Sequence, residues 1–475
     1  MASTYIQRTV GTPTNAQKYT YSFWVKRCEL SDGSKECFLL DGYADASNRA
    51  KIAFQSGDQL EIWNSHGGSD TFALNPPRKF RDISAWYHIV LSVDTTQSTA
   101  SDRVKLYVNG VQETSLGSTT YPSQNDANNT INESGTTFSI MAYGANASSD
   151  AYRLSSIMSH VYFTDGYAYD ASAFGSTDSV TGEWKINTSP SITMGNNGFT
   201  ILKDGNTITD QSSNSNNFTL GGGTLTNTED NPSNNFCTLN FLDRARTATN
   251  NLGDALENGN TTFNTSNAVK ATARGTIGVT SGKYYWEGKY NGGTAWAMGI
   301  CLEDLFGDTT AQFWDSSSIL AVAINGGSGT LYVNGRSSDS WNTGVSFSSG
   351  DIFGFALDVD NKALYVHRNG TYLTANSNVG DPTSGSSRTG SVLGELTTGG
   401  YQNYIPDGKP IFPFCQDVST GAPTTMYMNF GNGYFGTTAV ATNSGNGYAG
   451  AEGSSIFNYQ PPTGYSALST KGLNL

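Results

Sequence analysis

Tyr19-Thr20-Tyr21-Ser22-Phe23-Trp24-Val25-Lys26-Arg27 alternates aromatic and apolar residues with polar ones. A period of two is the signature of a half-buried β-strand, because successive side chains of a strand leave opposite faces. The same pattern recurs downstream. Lys51-Ile52-Ala53-Phe54 and Leu60-Glu61-Ile62-Trp63 flank a Ser56-Gly57-Asp58 turn, and Trp86 to Asp94 reads as a longer strand. Val104 to Val111 contains Asn109-Gly110, a strong hairpin signal since both residues tolerate positive φ. Thr137 to Met141 follows, and then Ile157 to Phe163 with a turn at Asp165-Gly166.

Composition agrees with an all-β chain. Of 475 residues, 54 are Gly, 25 Tyr and 23 Phe, and only 14% are charged, against roughly 25% in ordinary soluble domains. Surface polarity therefore falls to Ser, Thr and Asn, which are poor helix formers. The length suits two or three domains. A net charge of −13 disfavours nucleic acid and anionic membranes as partners. Met1 to Tyr5 shows no secretory signal, and no apolar run approaches the roughly 18 residues of a membrane span, so membrane insertion is not expected.

A second set of strands begins near Phe241. It comprises Gly282 to Glu287, Ala297 to Cys301, Leu320 to Ile324, Thr330 to Gly335, Gly350 to Asp360, Lys362 to Gly370 and Tyr427 to Gly431. Between the two sets lies a polar joint. It includes Gly182-Glu183-Trp184, Asn196 to Thr200, the Asn/Ser tract Asp210 to Asn217, and Asn234 to Asn240. These divisions predict two antiparallel β-sandwiches of jelly-roll type, over residues 1–185 and 241–436. An irregular linker spans 186–240 and an extended tail 437–475. Pro461-Pro462 forces the tail into an extended path. It is expected either to lie along a surface or to serve as a contact arm for a neighbouring subunit.

The strings SFWVK, WYHIVLSVD and VKLYVNG resemble the strand pattern of laminin-G-type, concanavalin-A-like sandwiches. GKYYWE, GDIFGFALDVDNKALYVHRNG and MYMNFGNGYF are similar to SPRY domains, which bind partners through rim loops and are not enzymes. The loop between Ile300 and Ile319 and the stretch Asp381 to Ser391 are where such loops would diverge in this chain. The joint strings VYFTDGYAYDASAFGSTDSVTGEW, DQSSNSNNFTL and DNPSNNFCTLN, with the ending PPTGYSALSTKGL, resemble virion proteins of marine tailed bacteriophages. In those proteins a laminin-G-like module precedes a SPRY-like one. The resemblance implies a structural virion protein on the particle surface. A tail fibre or tail-associated adhesin touching host glycans is expected first, and a capsid-decorating or head-appendage protein second. Neighbouring virion proteins and copies of the chain itself, in a trimer if it is a fibre, are the implied partners.

Catalytic signals are sparse. Glucanases of the laminin-G-related class need closely spaced carboxylates on one strand, and no E-x-D-x-x-E run occurs, so a polysaccharide hydrolase or lyase ranks third. Asp358-Val359-Asp360 reads as a turn-shaping pair before Asn361; a calcium site there would need further oxygen ligands. No zinc spacing, serine elbow or phosphate loop is present, and no cofactor or metal is expected. Gly221-Gly222-Gly223 and Gly292-Gly293 read as turns. The five cysteines are odd in number, which argues against a disulfide framework. Cys28 and Cys37 flank a turn, and stand either as a pair or as two reduced thiols.

Sugar binding asks for an exposed aromatic platform beside amide and carboxylate groups. His88, His160 and His367 lie in strand patterns and read as structural, as do Trp24, Trp86 and Trp286. The candidate contacts are Trp63, His66 and Asp70 in the first module, and Trp314-Asp315 and Trp341-Asn342 in the second. Each tryptophan has the alternative of packing against its own module.

Overall fold

The computed structural model describes residues 4–31, 33–146, 149, 152, 154–203, 207–246, 256–265, 271–292, 296–302, 321–325, 330–333, 340–342, 346–375, 378–393, 405–417, 423–440 and 447–474. Among them helix is confined to short 3-10 turns such as Ala100–Asp102, and no helix is long and apolar enough to cross a membrane. The protein is all-β. Two compact units divide it, Met1–Leu225 and Thr226–Leu475.

In the first unit an eight-stranded sheet runs Thr119–Thr120, Ser69–Leu74, Leu60–His66, Asn48–Phe54, Cys37–Asp45, Thr137–Ile140, Tyr5–Thr9, Thr219–Gly222. A six-stranded sheet runs Phe199–Ile201, Ser156–Asp165, Lys18–Arg27, Trp86–Asp94, Val104–Val108, Val111–Gln112. Apolar residues of both sheets interdigitate in one core, among them Ile6, Tyr21, Phe23, Ile52, Ile62, Leu91 and Phe163. Lys18–Arg27 is a central strand, paired on both sides, and it is buried on both faces rather than one. The reason lies in residues 166–195, which cover the outer side of this sheet with Phe174 and Trp184.

His88 shows how closely that cover fits. Its ring stacks on Trp24 at 4.7 Å, and Trp184 Nε1 donates to Nδ1 at 3.0 Å. Nε2 must then carry the proton and donate to Ser22 Oγ at 2.9 Å. Burial pushes its pKa down to about 3, so the imidazole is neutral and structural. Asn109 (φ 47°) and Gly110 (φ 81°) form the expected hairpin turn, and a Cβ at Gly110 would fall inside the Trp184 ring. Asn369 and Gly370 repeat the turn in the second unit, each Asn Oδ1 accepting from a neighbouring strand's N–H.

The expected linker 186–240 is mostly built into the first unit. Phe199–Ile201 pairs with Ser156–Asp165, and Thr219–Gly222 with Tyr5–Thr9. Phe199, Ile201 and Phe218 are core residues set in a polar background, which hides their burial from a reading of composition. Asp210 fixes the connecting loop by accepting from Thr200 N, Ser212 N and Asn216 N. Cys28 and Cys37 are separate buried thiols.

The second unit is also a sandwich. Its seven-stranded sheet is ordered Leu239–Arg246, Ala271–Gly275, Ile411–Asp417, Trp296–Leu302, Ala321–Asn325, Thr330–Val333, Ser340–Asn342. Facing it is a sheet centred on Lys283–Tyr290 and Ile352–Asp358, with Trp286, Met298, Phe353 and Phe355 in the shared core. Asp358 accepts from Asn361 N and pairs with Lys283, and Asp360 accepts from Gly282 N, so both shape turns.

The tail lies on its own unit. Ser466–Ala467 adds a parallel strand beside Tyr284 and Tyr285, and Cys237 N donates to Leu468 O. Phe457, Tyr465 and Ala467, fully buried, cover the outer sheet face at Tyr285, Ala356 and Tyr365. Beneath them Glu287 accepts from Asn458 N, Tyr459 N, Tyr285 Oη and Asn429 Nδ2 at 2.8–3.1 Å. Gly370 N donates to His367 Nδ1, which leaves His367 Nε2 to donate to Tyr285 Oη at 2.7 Å. The apolar aromatics that a Gly- and Asn-rich composition masks are what hold the tail down.

Two outcomes test this. Each large apolar side chain that loses burial costs roughly 1.5–3 kcal/mol, a large share of a domain's 5–15 kcal/mol. A chain ending at Ser455 is therefore expected to lose the second unit's cooperative melting transition while keeping the first; two intact transitions would contradict the docking. Burial pushes Glu287 up to about 7. A folded pKa above the unfolded value of roughly 4.3 gives stability that is present below it and is lost as pH rises through about 7. Wild type should thus gain on Glu287→Gln as pH falls from 8 to 5. A pH-independent difference in melting temperature would contradict the assignment.

Candidate functional site

The first unit's eight-stranded sheet sends Ile6, Ile140, Leu40, Ile52, Ile62 and Leu74 into the core. Period two sends their neighbours outward. One cross-strand row carries Gln7, Ser139, Asp41, Lys51, Trp63 and Ala73; the next carries Thr9, Thr137, Tyr43, Arg49 and Ser65.

Where the rows cross Asn48–Phe54 and Leu60–His66, an aromatic and charged cluster forms. Trp63 is half-buried, with the Arg49 guanidinium 4.9 Å from its ring centroid. Arg49 Nη1 donates to Tyr143 Oη at 2.8 Å, and Tyr143 packs edge-on against Tyr152 at 4.7 Å and Tyr43 at 6.3 Å. Lys51 bridges Glu61 at 2.5 Å and Glu36 at 3.4 Å, and lies over Phe38. Asp41 is only 1% exposed and accepts from Gly144 N at 2.8 Å. Burial pushes its carboxyl up to about 7, against the pull of that hydrogen bond and of the Arg49 and Lys51 charges.

Edge-packed rings, tyrosine hydroxyls and a guanidinium on one half-exposed surface suit a ligand with both apolar faces and hydroxyl edges. The carboxylates do not form an acid–nucleophile pair open to such a ligand. Glu36 and Glu61 are held by Lys51, and Asp41 is enclosed. Among the described residues no group of three His, Cys, Asp or Glu side chains is placed to hold a metal ion.

Trp63, His66 and Asp70 share one hairpin, closed by Gly67 (φ 61°) and Gly68 (φ 77°). Of these, Trp63 belongs to the cluster. His66 Nε2 sits 3.8 Å from Glu133, and Asp70 is exposed opposite Ser65. Trp314 and Asp315 lie outside the described residues. Trp341 and Asn342 lie on the edge strand Ser340–Asn342 of the second unit, opposite Leu331 and Thr330. Trp24, Trp86 and Trp286 are buried. Sequence reading missed Arg49, Lys51, Tyr43 and Tyr143. The alternation Arg49-Ala50-Lys51-Ile52 marks two outward cations, but their register against Trp63 is a tertiary fact.

Residues 1–140 match a laminin-G-type family model described as the concanavalin A-like lectin/glucanases superfamily. Among solved structures, the SPRY domain of human HERC1 is similar at 17% identity and TM-score 0.26, over 36% of this chain and 89% of that one. A heptameric SAP-like pentraxin from Limulus polyphemus matches at 13% identity and TM-score 0.25, over 34% and 69%. The TRIM65 PSpry domain matches at 12% and 0.26, over 41% and 91%. No curated protein matches the chain. The laminin-G-like reading of the N-terminal segment thus rests on an independent match.

The cluster's electrostatics make a checkable claim. Because the Arg49 charge lowers the Asp41 pKa, Arg49→Met should raise the Asp41 titration midpoint above about 7 in carbon-detected NMR. A midpoint that stays or falls would show that the two groups are not coupled.

Proposed function

We propose that this chain is a structural virion protein of a tailed phage, a tail fibre or tail-associated adhesin that binds host surface glycans without cleaving them. The observation that carries the glycan reading is the Trp63–Arg49–Tyr143 surface, standing half-open on the unit whose first 140 residues match a lectin and glucanase superfamily. Trp63 offers a ring for the apolar face of a sugar, and Arg49 and Tyr143 offer hydrogen-bonding groups for its hydroxyls. The enclosed Asp41 and the Lys51-bound Glu36 and Glu61 support binding without hydrolysis at this surface. The virion assignment draws on the joint and C-terminal strings. The second unit would serve as a contact scaffold towards neighbouring virion proteins, and copies of the chain would assemble with the particle's symmetry.

Purified protein should bind host lipopolysaccharide or capsule and compete with infection, and Trp63→Ala should weaken binding at least tenfold without changing the melting profile. Release of reducing sugar would overturn the non-catalytic reading, and unchanged affinity would overturn the site. Immunogold labelling of intact particles should decorate the tail; label on the head would favour the capsid-decorating role.

A further inference from the structure

We infer that the groove beside the Tyr5–Thr9 strand is a second binding site for a neutral, hydroxyl-rich ligand of the saccharide class. The groove has a volume of about 360 Å³, within the roughly 300–1,000 Å³ range of small-ligand sites, and is open to solvent along Thr9, Ser215, Asn217 and Thr219. Its floor comes from the same outward rows as the Trp63 cluster: Gln7 beside Thr219, and Thr9 beside Thr137. Its wall is Ser215 and the two asparagines after it.

The chemistry of the lining selects the ligand. The side chains of Gln7, Thr9, Thr137 and Ser215 have no hydrogen-bond partner among the described residues. An amide and three hydroxyls can each donate and accept, which is what a polyol requires. Arg8 is the one ionisable residue lining the groove, and it is already engaged. Its Nη1 donates to Asn197 O at 3.1 Å and its Nη2 to Asn216 Oδ1 at 2.7 Å, with Asp210 adding a compensating charge. A phosphate or carboxylate would meet only this one guanidinium, with two of its five N–H groups taken and its charge partly offset by Asp210. An apolar ligand would strip water from hydroxyls without replacing their bonds.

The wall is preorganised. Asp210 accepts from Asn216 N at 2.8 Å, and Asn216 Nδ2 donates to Asn196 O and Gly198 O at 2.8 Å each. Ser215 is held in the left-handed region at φ 59°, a conformation that non-glycine residues adopt at a cost. A ligand therefore finds the groove already shaped, which spares the entropy of ordering it. Four strand steps separate Gln7 from Trp63, about 19 Å at roughly 4.8 Å per step, so the two sites should act independently.

This inference rests on the glycan-binding reading, and the experiment separates the two. The full-length protein is titrated with maltohexaose, cellohexaose and mannohexaose by calorimetry and saturation-transfer NMR. Wild type is compared with the double variant Gln7→Ala/Thr9→Val and with Trp63→Ala. Neither groove substitution removes an internal hydrogen bond, so folding should persist. The expected result is binding of at least one probe, weakened fivefold or more by the groove variant and retained by Trp63→Ala. Wild-type affinity in the groove variant together with loss in Trp63→Ala would overturn the groove and leave the Trp63 surface standing. Absence of binding to all three probes by wild type would also overturn the groove, while the Trp63 surface answers to host polysaccharide. Binding indifferent to both sets of substitutions would overturn the groove and leave the Trp63 surface to its test with host polysaccharide.

Discussion

The pleat of a strand gives every sheet two faces, and a two-sheet sandwich buries only one of them. What happens to the outer faces decides what this protein can do. In the first unit, residues 166–195 close the outer side of the six-stranded sheet through Trp184, Phe174 and the neutral His88. In the second, Phe457, Tyr465 and Ala467 of the tail close the outer side of the Lys283–Tyr290 sheet. Both closures combine aromatic burial with a fully committed polar group, His88 in one and Glu287 in the other. Burying such a group is tolerable only because every lone pair or proton it presents is matched.

The outer face of the first unit's eight-stranded sheet is treated differently. It is part-covered by Tyr143 and Tyr152 but carries half-open Trp63, Arg49 and Lys51 at one end and an amide- and hydroxyl-lined groove at the other. Some of its charges are offset locally, Lys51 lying between two glutamates and Arg8 near Asp210, while Arg49 faces the Trp63 ring and the Tyr143 hydroxyl. A locally balanced surface on a chain of net charge −13 suits neutral or weakly charged polymers rather than nucleic acid. The proposed recognition surface lies on paired strands, which fix its geometry more firmly than a loop would.

Strand positions were legible because period two survives in segments such as Trp86–Asp94 and Ile352–Asp358. Hairpin turns were legible at Asn109-Gly110 because few residues other than Asn and Gly adopt that backbone. The unit boundary was not, since Phe199 and Phe218 sit as isolated aromatics in an Asn- and Ser-rich tract, and their burial depends on distant partners. The tail's extended course along a surface was legible from Pro461-Pro462, but the burial of Phe457 and Tyr465 was not, for the same reason. Trp63 is legible as the end of the Leu60-Glu61-Ile62-Trp63 strand pattern, but the cations beside it come from another strand, and its register is fixed by pairing that no local pattern reveals. His66 and Asp70 looked like companions of Trp63 by proximity in sequence, yet the hairpin turn carries them to the sheet's end.

One outer face of the first unit is proposed to meet the ligand, while an outer face of the second unit is closed by its own tail. Hydrogen exchange of the full chain, free and saturated with host surface polysaccharide, tests it most directly. Added protection is expected only in the first unit, over the Cys37–Asp45, Asn48–Phe54 and Leu60–His66 strands and the 141–146 loop, with amides at 457–459 and 466–470 already slow in the free protein. Protection appearing instead on the second unit, or fast exchange of those tail amides, would contradict it.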